Sequence, residues 1–402
     1  MKRLLAWTVV VLFIAGLAGC RPSPKPPDEL SFDGLKITVW DAKEPHLPGV
    51  YPYEDQVAHI IEVFEKEYNV TVEYQYRERE EIIGFLTGQS TGPGEEASEG
   101  PVVVYSTEWP VVPDGAVDVS GGLDLEEFHD TCVSYWTRHE EVLAVPAYVH
   151  WFCAAARRGP VPDDSEGYSS DREGAPVSAG KTGYWVSSRA FLRVYLDRTG
   201  RGWDEKDIAD YLAWVKANFG KIRDDPLDLL DQGDLDALYP VTPHLYRWLK
   251  VSEKTESSRK ITIYPPPGPG CDGGFYYTVP GYIVLAKEEP YRSCATKLAK
   301  VLSQNLGRWA ARAIGGIPAR VEDMPVFNVQ SGFSYEERQK LASVLKQTGL
   351  KVPEPQDFIL KEKLHAGILD LMKDYLSGKV TEQTLEDGIR RVIESHNMKG
   401  SE

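Results

Sequence analysis

Two places in the sequence put a tryptophan next to a carboxylate, and both could bind a ligand that is part apolar and part polar. Trp40 precedes Asp41, and Trp109 follows Glu108. A flat aromatic ring packs against the C–H face of a sugar, whereas a carboxylate accepts hydrogen bonds from its hydroxyl groups. The same residue types can also enclose an organic cation such as a polyamine. Both pairs are therefore candidates for binding a small polar solute.

Each of these pairs stands at the end of a predicted β-strand. Residues 36–40 read as a strand that ends in Asp41, and the apolar run 102–105 reads as a strand buried on both faces. Ligands of open α/β sheets lie beyond the carboxyl ends of the strands. Aromatic residues near other predicted strand ends and at positions 184, 185 and 239 complete the predicted solute-binding set: Trp40, Asp41, Glu108, Trp109, Tyr148, Tyr184, Trp185, Tyr239 and Tyr276. Each aromatic could instead pack in the core or at a hinge, and each acid could be a helix cap or a solvated carboxylate.

Patterns for catalysis or metal binding are incomplete in the sequence. Residues 178–182 are similar to a phosphate-binding loop, but Ala175 stands where that loop requires glycine. Leu143 occupies the place of the second histidine in the metalloprotease pattern that would begin at His139, and the sequence has no serine nucleophile elbow. We therefore predict no catalytic residue, no metal and no cofactor. A glycoside-cleaving enzyme stays open, because paired carboxylates are plentiful in this chain.

Charge and length restrict the class of protein. The chain has 402 residues with 45 basic and 61 acidic side chains, which gives a formal net charge of −16. No stretch concentrates lysine and arginine, so a nucleic-acid-binding face is not expected. The same charge argues against adhesion of the folded body to an anionic membrane. The length predicts two or three domains.

The N-terminus predicts export and attachment to lipid. Lys2 and Arg3 precede an apolar run of about 14 residues, shorter than the roughly 20 residues of a membrane-spanning helix. The small residues before Cys20 resemble the bacterial lipoprotein signal, in which cleavage exposes a cysteine that then carries lipid. Carried over, this makes 1–19 the signal peptide, Cys20 the lipid attachment site and the proline-rich segment 20–34 a tether. An uncleaved N-terminal anchor is the alternative.

Four further cysteines permit disulfides in an exported protein: Cys132, Cys153, Cys271 and Cys294. Pairs that are close in sequence, Cys132 with Cys153 and Cys271 with Cys294, are the first to consider. The alternative is that these residues are small buried side chains with free thiols.

The first hundred residues predict alternating strands and helices. Apolar residues at helical spacing indicate a helix around 57–64, and a charged helix is predicted at 78–86. Strands are predicted at 36–40, 70–76 and 102–105. The order β-α-β-α-β is typical of a parallel sheet with right-handed crossovers.

The rest of the chain reads as irregular segments followed by helices. Residues 158–182 are polar and rich in glycine, proline and serine, which predicts a long surface loop or an insertion. A helix is predicted from Asp204, another over 295–313, and helices dominate 336–396, with Thr381 as the cap of the last one.

Two prolines indicate where the chain could pass between sheets. Pro146 and Pro280 each lie inside a strand-like apolar run. Proline lacks an N–H donor and is poorly placed in the middle of a sheet. Both residues therefore fit better at crossovers.

Four segments, taken in order, resemble the extracellular solute-binding proteins of ABC importers, in particular carbohydrate-type family 1. The segments are ITVWD with the later IIEVFEKEYNVTVEY, VLAVPAYVHWF at 142–152, the run from Ala295 through Trp309 to GGIPAR at 315–320, and YLSGKVTEQTLEDGIRRVIES at 375–395. The resemblance implies an α/β fold of two lobes joined by a hinge, of the type II periplasmic-binding-protein-like class. Its implied boundaries are 35–146 plus 281–318 for lobe I, and 149–278 plus 320–398 for lobe II.

The same resemblance implies a binding protein and not an enzyme. Such a protein would capture a mono- or oligosaccharide by hinge closure and deliver it to the transmembrane subunits of an ABC permease. It would be a monomer held outside the cytoplasmic membrane by lipid, with no nucleic-acid partner. Three alternatives stay open, because a fold does not fix a function: a polyamine or other small-solute binder, an exported glycoside-acting enzyme, and a sensor partner.

Overall fold

The structure is a computed structural model of the chain. It describes residues 31–42, 52–89, 100–157, 182–185, 222–223, 237–251, 261–264, 275–346, 352 and 355–399. Several sequence predictions lie outside these ranges: the signal peptide, Cys20, most of the tether, nearly all of the 158–182 segment, the helix from Asp204, and Cys271.

Strands and helices are numbered here along the described chain. The strands are β1 (Lys36–Ala42), β2 (Thr71–Arg77), β3 (Val103–Tyr105), β4 (Thr137–Arg138), β5 (Glu141–Val142), β6 (Val145–Pro146), β7 (Tyr148–Arg157), β8 (Thr182–Trp185), β9 (Ile222–Arg223), β10 (Ala237–Val241), β11 (Ile261–Tyr264), β12 (Tyr276–Thr278), β13 (Gly281–Val284) and β14 (Ile317–Pro318). The α-helices are α1 (Tyr53–Tyr68), α2 (Arg79–Leu86), α3 (Asp130–Trp136), α4 (Pro243–Val251), α5 (Tyr291–Ala313), α6 (Met324–Gln330), α7 (Tyr335–Ala342), α8 (Pro355–Leu376) and α9 (Glu382–Lys399).

The N-terminal part forms a five-stranded sheet in the order β2-β1-β3-β13-β6. β1 is parallel to β2 and to β3, as the β-α-β-α-β pattern predicts. β13 runs antiparallel to both β3 and β6 and so inserts between two strands that precede it in sequence by more than a hundred residues. The predicted parallel sheet is confirmed, with an antiparallel strand added at long range.

Helices cover this sheet with the faces that the sequence predicts. On α1, Val57, Ile61 and Phe64 are buried, at the i, i+4, i+7 spacing of one helix face. The helix ends at Asn69, whose φ of 53° is left-handed, a conformation that asparagine tolerates at a helix end. A separate prediction concerns the cap of the last helix, α9. The backbone N–H of Thr384 donates to Thr381 Oγ1 at 3.3 Å, so this predicted cap is confirmed.

A second sheet is built around the long strand β7. Its main order is β11-β7-β10-β8-β9, and β12 and β14 also pair with β7. Along β7, the first residues pair with β14, the middle residues with β12 and the last residues with β11. β7 therefore runs from the region between the sheets to the interior of the second sheet.

The chain crosses between the sheets where the two prolines stand. Pro146 ends β6 in the first sheet, and β7 begins two residues later in the second sheet. Pro280 lies between β12 and β13, which belong to different sheets. The crossings are joined by hydrogen bonds from Ala147 N to Pro280 O at 2.8 Å and from Ala319 N to Ala147 O at 3.0 Å. The predicted crossovers are confirmed.

Helix α5 lies directly against the first crossing. Ser303 Oγ donates to Pro146 O at 2.5 Å. A Cβ atom added at Gly307 would lie 2.4 Å from Ala147 O, which is closer than real Cβ atoms come to other atoms. Glycine at this position thus permits close approach of the helix to the crossing backbone.

The structure decides between the two alternatives that the sequence leaves open for the cysteines. Cys132, Cys153 and Cys294 are free and buried, so neither disulfide between sequence-near cysteines is formed. Each packs as a small apolar side chain in the core. Burial raises the pKa of Cys132 to about 12 and that of Cys294 to about 11.

None of the described helices is both long and apolar enough to cross a membrane.

Candidate functional site

The segment after β3 turns over toward the second sheet. Thr107 is fully buried and has a φ of 59°, a left-handed conformation that a threonine rarely adopts. Its Oγ1 accepts a hydrogen bond from Trp109 N at 3.2 Å. From β12, Thr278 Oγ1 donates to Glu108 O at 2.9 Å. These contacts fix the backbone of Glu108 and Trp109, and backbone strain of this kind is concentrated at functional sites.

Glu108 is paired with Arg79, the first residue of α2. The Arg79 guanidinium contacts the Glu108 carboxylate, and the two side chains are 23% and 21% exposed. Arg79 follows β2, and Glu108 follows β3. The carboxyl ends of two strands of the first sheet therefore meet in one partly exposed ion pair, where the strand-end rule places a ligand.

Trp109 joins the two sheets. Its ring stacks on Phe152 of β7, with 5.5 Å between ring centroids and 15° between ring planes. Trp109 belongs to the segment after a strand of the first sheet, and Phe152 to the long strand of the second. The stack is offset parallel packing, a favourable arrangement for aromatic rings.

Three aromatic side chains lie in a row on one face of β7. Tyr148, His150 and Phe152 alternate with residues that point to the opposite face, since side chains alternate along a strand. The His150 ring is 6.3 Å from the ring of Tyr148 and 5.2 Å from that of Phe152. Burial holds the pKa of His150 well below 6.5, and the neighbouring His244 and Arg79 lower it further. His150 is therefore a neutral imidazole.

His244, on α4, connects this cluster to the helices. Its ring is 6.5 Å from Trp309 of α5, and Trp309 is 5.7 Å from Tyr53 of α1. Burial lowers the pKa of His244 to about 3, with a further contribution from the positive charge of Arg79. The cluster thus contains two neutral imidazoles, one ion pair and several aromatic rings, drawn from elements around both sheets.

Asp41 is neither of the two alternatives to a solute contact that the sequence leaves open for it, a solvated carboxylate or a helix cap. It is 1% exposed, so it is not a solvated carboxylate, and it does not cap a helix. Its Oδ2 accepts hydrogen bonds from the hydroxyls of Tyr74 and Tyr282, the latter at 2.7 Å, and its Oδ1 accepts from Ala42 N at 2.8 Å. Burial raises the pKa of both tyrosines well above 10, and the Asp41 charge adds to this.

Trp40 is buried on the first sheet. Its ring is 4.9 Å from the ring of Phe85, and the guanidinium of Arg77 lies 4.7 Å from its centroid. This is the core-packing arrangement, supplemented by a cation–π contact.

The remaining predicted residues lie on strands of the second sheet. Tyr148 is 1% exposed at the start of β7, and Tyr276, partly buried on β12, has Phe152 as its register partner. Tyr184 and Tyr239 are register partners between β8 and β10, and Trp185 follows Tyr184. For these last three residues the structure describes the backbone alone.

The structure brings some predicted residues together and adds others. Glu108 and Trp109 meet β7 and β12, which carry Tyr148 and Tyr276. Trp40 packs on the first sheet, and Asp41 is linked to the cluster only indirectly, since its partner Tyr282 has its hydroxyl 3.3 Å from that of Tyr53. The cluster also contains residues outside the predicted solute-binding set: Arg79, His150, Phe152, His244, Trp309 and Tyr53. Arg79 follows a predicted strand, so the strand-end rule applied to β2 would have found it. His244 and Trp309 carry no local signal.

No protein-family model matches the sequence, and no curated protein matches it. Solved structures do match. The maltose/maltodextrin-binding domain from Bdellovibrio bacteriovorus, bound to maltotriose, is 14% identical with a TM-score of 0.58, over 90% of this chain and 100% of that chain. The sugar-binding protein MalE from Xanthomonas citri is 14% identical with a TM-score of 0.61, over 90% of this chain and 98% of that one.

A third similar structure is the ABC substrate-binding protein from Listeria monocytogenes in complex with cycloalternan. It is 13% identical with a TM-score of 0.57, and the match covers 92% of this chain and 100% of that chain. Likeness at such low identity shows the fold. The chain therefore has the two-lobe α/β fold of type II periplasmic binding proteins, as its sequence predicts.

Proposed function

We propose that the chain is an extracytoplasmic solute-binding protein that captures a mono- or oligosaccharide by hinge closure and delivers it to an ABC transporter permease. The observation that carries this proposal is the stack of Trp109 on Phe152 beside the ion pair of Arg79 and Glu108. The fold supports it, because solved structures of the same fold include proteins bound to maltotriose and to cycloalternan.

The chemistry of this site suits a sugar. An aromatic ring offers its face to C–H groups, a guanidinium donates hydrogen bonds, and a carboxylate accepts them. A sugar hydroxyl can do both, so it can replace water around a partly exposed ion pair such as Arg79 and Glu108. The proposed reaction is binding alone, with no bond made or broken.

Hinge closure follows from the proposed lobes. Lobe I comprises 35–146 plus 281–318, and lobe II comprises 149–278 plus 320–398. These boundaries assign the first sheet to lobe I and the strands β7 to β12 to lobe II. β14 forms the end of lobe I and pairs with β7, so it lies at the lobe boundary beside the two proline crossings, which we propose as the hinge. Rotation about these short crossing segments would bring the lobes together over a solute.

We propose a division of roles among the predicted residues. Glu108 and Trp109 contact the solute from lobe I, with Tyr148 and Tyr276 beside them. The proposed further contacts from the second sheet are Tyr184, Trp185 and Tyr239. Because Asp41 already accepts three hydrogen bonds from the protein, we propose that it and the adjacent Trp40 support the edge of the first sheet.

The proposed cellular setting rests on the sequence. Residues 1–19 would be removed as a lipoprotein signal, Cys20 would carry the lipid, and 20–34 would be the tether. The mature protein would then be a lipid-anchored monomer outside the cytoplasmic membrane. Its partners would be the solute and the transmembrane subunits of the permease.

The alternative ligands and activities are less well supported by the site. A polyamine site needs carboxylates whose negative charge is left for ammonium groups, but Arg79 balances the charge of Glu108, and Asp41 is buried against two tyrosines. A glycosidase needs two carboxyl groups facing the same bond, and of these two acids Glu108 alone is partly exposed. A sensor role on the same fold would use the same binding step. The identity of the partner protein, a signalling protein or a permease, would distinguish it from the proposed transport role.

Thermal unfolding of the mature protein with added solutes tests the proposal. The panel contains oligosaccharides, with maltotriose first, and polyamines. A ligand at 100 times its Kd stabilises the folded state by about 2.7 kcal/mol, and we expect a shift of a few degrees with one class of sugar. A shift with polyamines alone would overturn the carbohydrate proposal. Product formation from the stabilising sugar would show an enzyme, and no shift with any compound would favour the sensor role.

A further inference from the structure

His150 is a buried polar residue whose hydrogen-bonding capacity is not used by the part of the chain that the structure describes. It lies in the middle of β7 and is 3% exposed. Among the described residues, neither Nδ1 nor Nε2 of His150 has a hydrogen-bond partner. A buried polar atom without a partner costs folding free energy, and such atoms are rare in native proteins. The imidazole therefore needs a purpose other than packing, because a phenylalanine ring would fill the position without this cost.

The surroundings of His150 place it at the proposed solute site. Its register partner on β12 is Thr278, whose hydroxyl donates to the backbone of Glu108. Two residues along β7 is Phe152, on which Trp109 stacks. His150 thus lies beside Thr278 and Phe152, the residues that contact Glu108 and Trp109, which we propose as lobe I contacts.

The charges around His150 indicate what kind of group it would meet. Arg79 and His244 act electrostatically on His150, and Arg79 is in turn paired with Glu108. The Arg79 charge would repel an ammonium group. A carboxylate would find a guanidinium that is already paired and imidazoles that are neutral. A neutral imidazole offers one donor and one acceptor, and a hydroxyl group satisfies either.

We infer that His150 is a specificity-determining residue of the site, and that its imidazole donates one hydrogen bond to and accepts one from hydroxyl groups of an uncharged solute. This inference rests on the proposed function and names the chemistry of the solute at one position. It also explains why a polar side chain occupies a buried position of β7.

Two substitutions at His150 separate ligand binding from packing. His150→Phe keeps a ring of similar size and removes both nitrogens, while His150→Gln keeps one donor and one acceptor. By calorimetric titration with maltotriose, or with the sugar found by the thermal panel, we expect His150→Phe to weaken binding tenfold or more and His150→Gln to recover part of the loss. The melting temperature of the ligand-free His150→Phe protein should be unchanged or higher, because a buried unpaired polar group is removed.

His365→Phe alters an equally buried histidine on α8, and we expect it to leave the affinity unchanged. Unchanged affinity in His150→Phe, or a melting temperature lowered by several degrees, would overturn the inference. Tighter binding of a uronate-bearing oligosaccharide or of spermidine than of the neutral sugar would overturn the uncharged solute. If the wild type binds no sugar, the proposed function is wrong independently of the role of His150. The melting temperatures of the ligand-free wild type and His150→Phe proteins then still show whether His150 is a packing residue.

Discussion

At the scale of single residues, the two carboxylates at the ends of β1 and β3 differ in whether a ligand can form hydrogen bonds with them. Glu108 is in a partly exposed ion pair, which can exchange partners because water and a solute hydroxyl can both reach it. Asp41 is 1% exposed and held by tyrosine hydroxyls. Moving Asp41 toward a solute would leave those buried hydroxyls unpaired, at a cost in free energy. Glu108 is therefore the acid available for binding.

Trp109→Ala tests whether the stacked ring carries affinity. We expect the solute affinity to fall by a factor of ten or more while the protein remains folded, because the ring that would face the solute is removed. Isothermal titration measures the affinity, and urea unfolding measures the stability.

Phe358→Ala is the control for that experiment, since Phe358 is a buried aromatic residue of α8. It should reduce stability by about 3 kcal/mol or more without changing the affinity of the folded protein. Unchanged affinity together with a comparable loss of stability in Trp109→Ala would assign Trp109 to the core.

At the scale of elements, local patterns predict much of the first sheet and little of its completion. The parallel strands β1, β2 and β3 and the buried face of α1 follow from alternation and helical spacing. The insertion of β13 between β3 and β6 has no local signal, because pairing between distant strands leaves no spacing pattern in either. The same limit applies to Asp41, whose tyrosine partners are 33 and 241 residues away. At the site, the strand-end rule selects Glu108 and Trp109, but it cannot show that Phe152 and His150 lie beside them.

Two helix glycines provide an element-scale prediction with an internal control. Alanine favours a helix over glycine by about 1 kcal/mol. At Gly307 the added Cβ would lie 2.4 Å from a backbone oxygen of the first crossing, so Gly307→Ala should destabilise the protein. At Gly388, on α9, the Cβ would meet the end of the Leu371 side chain at 2.8 Å, which can move. Gly388→Ala should therefore be close to neutral or stabilising by up to about 1 kcal/mol.

Urea unfolding of the two alanine variants gives the free energies directly. The expected result is opposite signs, or at least a clear difference, between Gly307→Ala and Gly388→Ala. Equal effects would mean that α5 can move away from the crossing segment, contrary to the close approach that the structure describes.

At the scale of the whole molecule, the buried histidines link folding to pH. His150 and His244 are both neutral in the folded protein, because burial and the Arg79 charge hold their pKa values below that of an unfolded histidine. The unfolded state therefore binds more protons than the folded state once the pH falls below about 6.5. Stability is complete above that pH and decreases as the pH falls toward the folded-state pKa of each histidine.

The free energy of unfolding should consequently decrease between pH 6.5 and 5, by up to about 2 kcal/mol for His244. Urea unfolding at a series of pH values measures the slope. His244→Gln should reduce this slope, and His59→Gln, at an exposed position of α1, should keep it. A slope that His244→Gln does not alter would contradict the assignment of a neutral, buried imidazole.

The strand order of the first sheet also governs when this protein can finish folding during its synthesis. Among the described strands, β6 joins that sheet only through β13, which ends at Val284 of the 402 residues. A nascent chain that has emerged only as far as β6 cannot complete the sheet, however long it waits. More than two thirds of the chain must be translated first, so completion of the N-terminal sheet is a late event. For the export that we propose, in which the polypeptide is threaded unfolded through a secretion channel, such a delay would keep the chain competent for translocation.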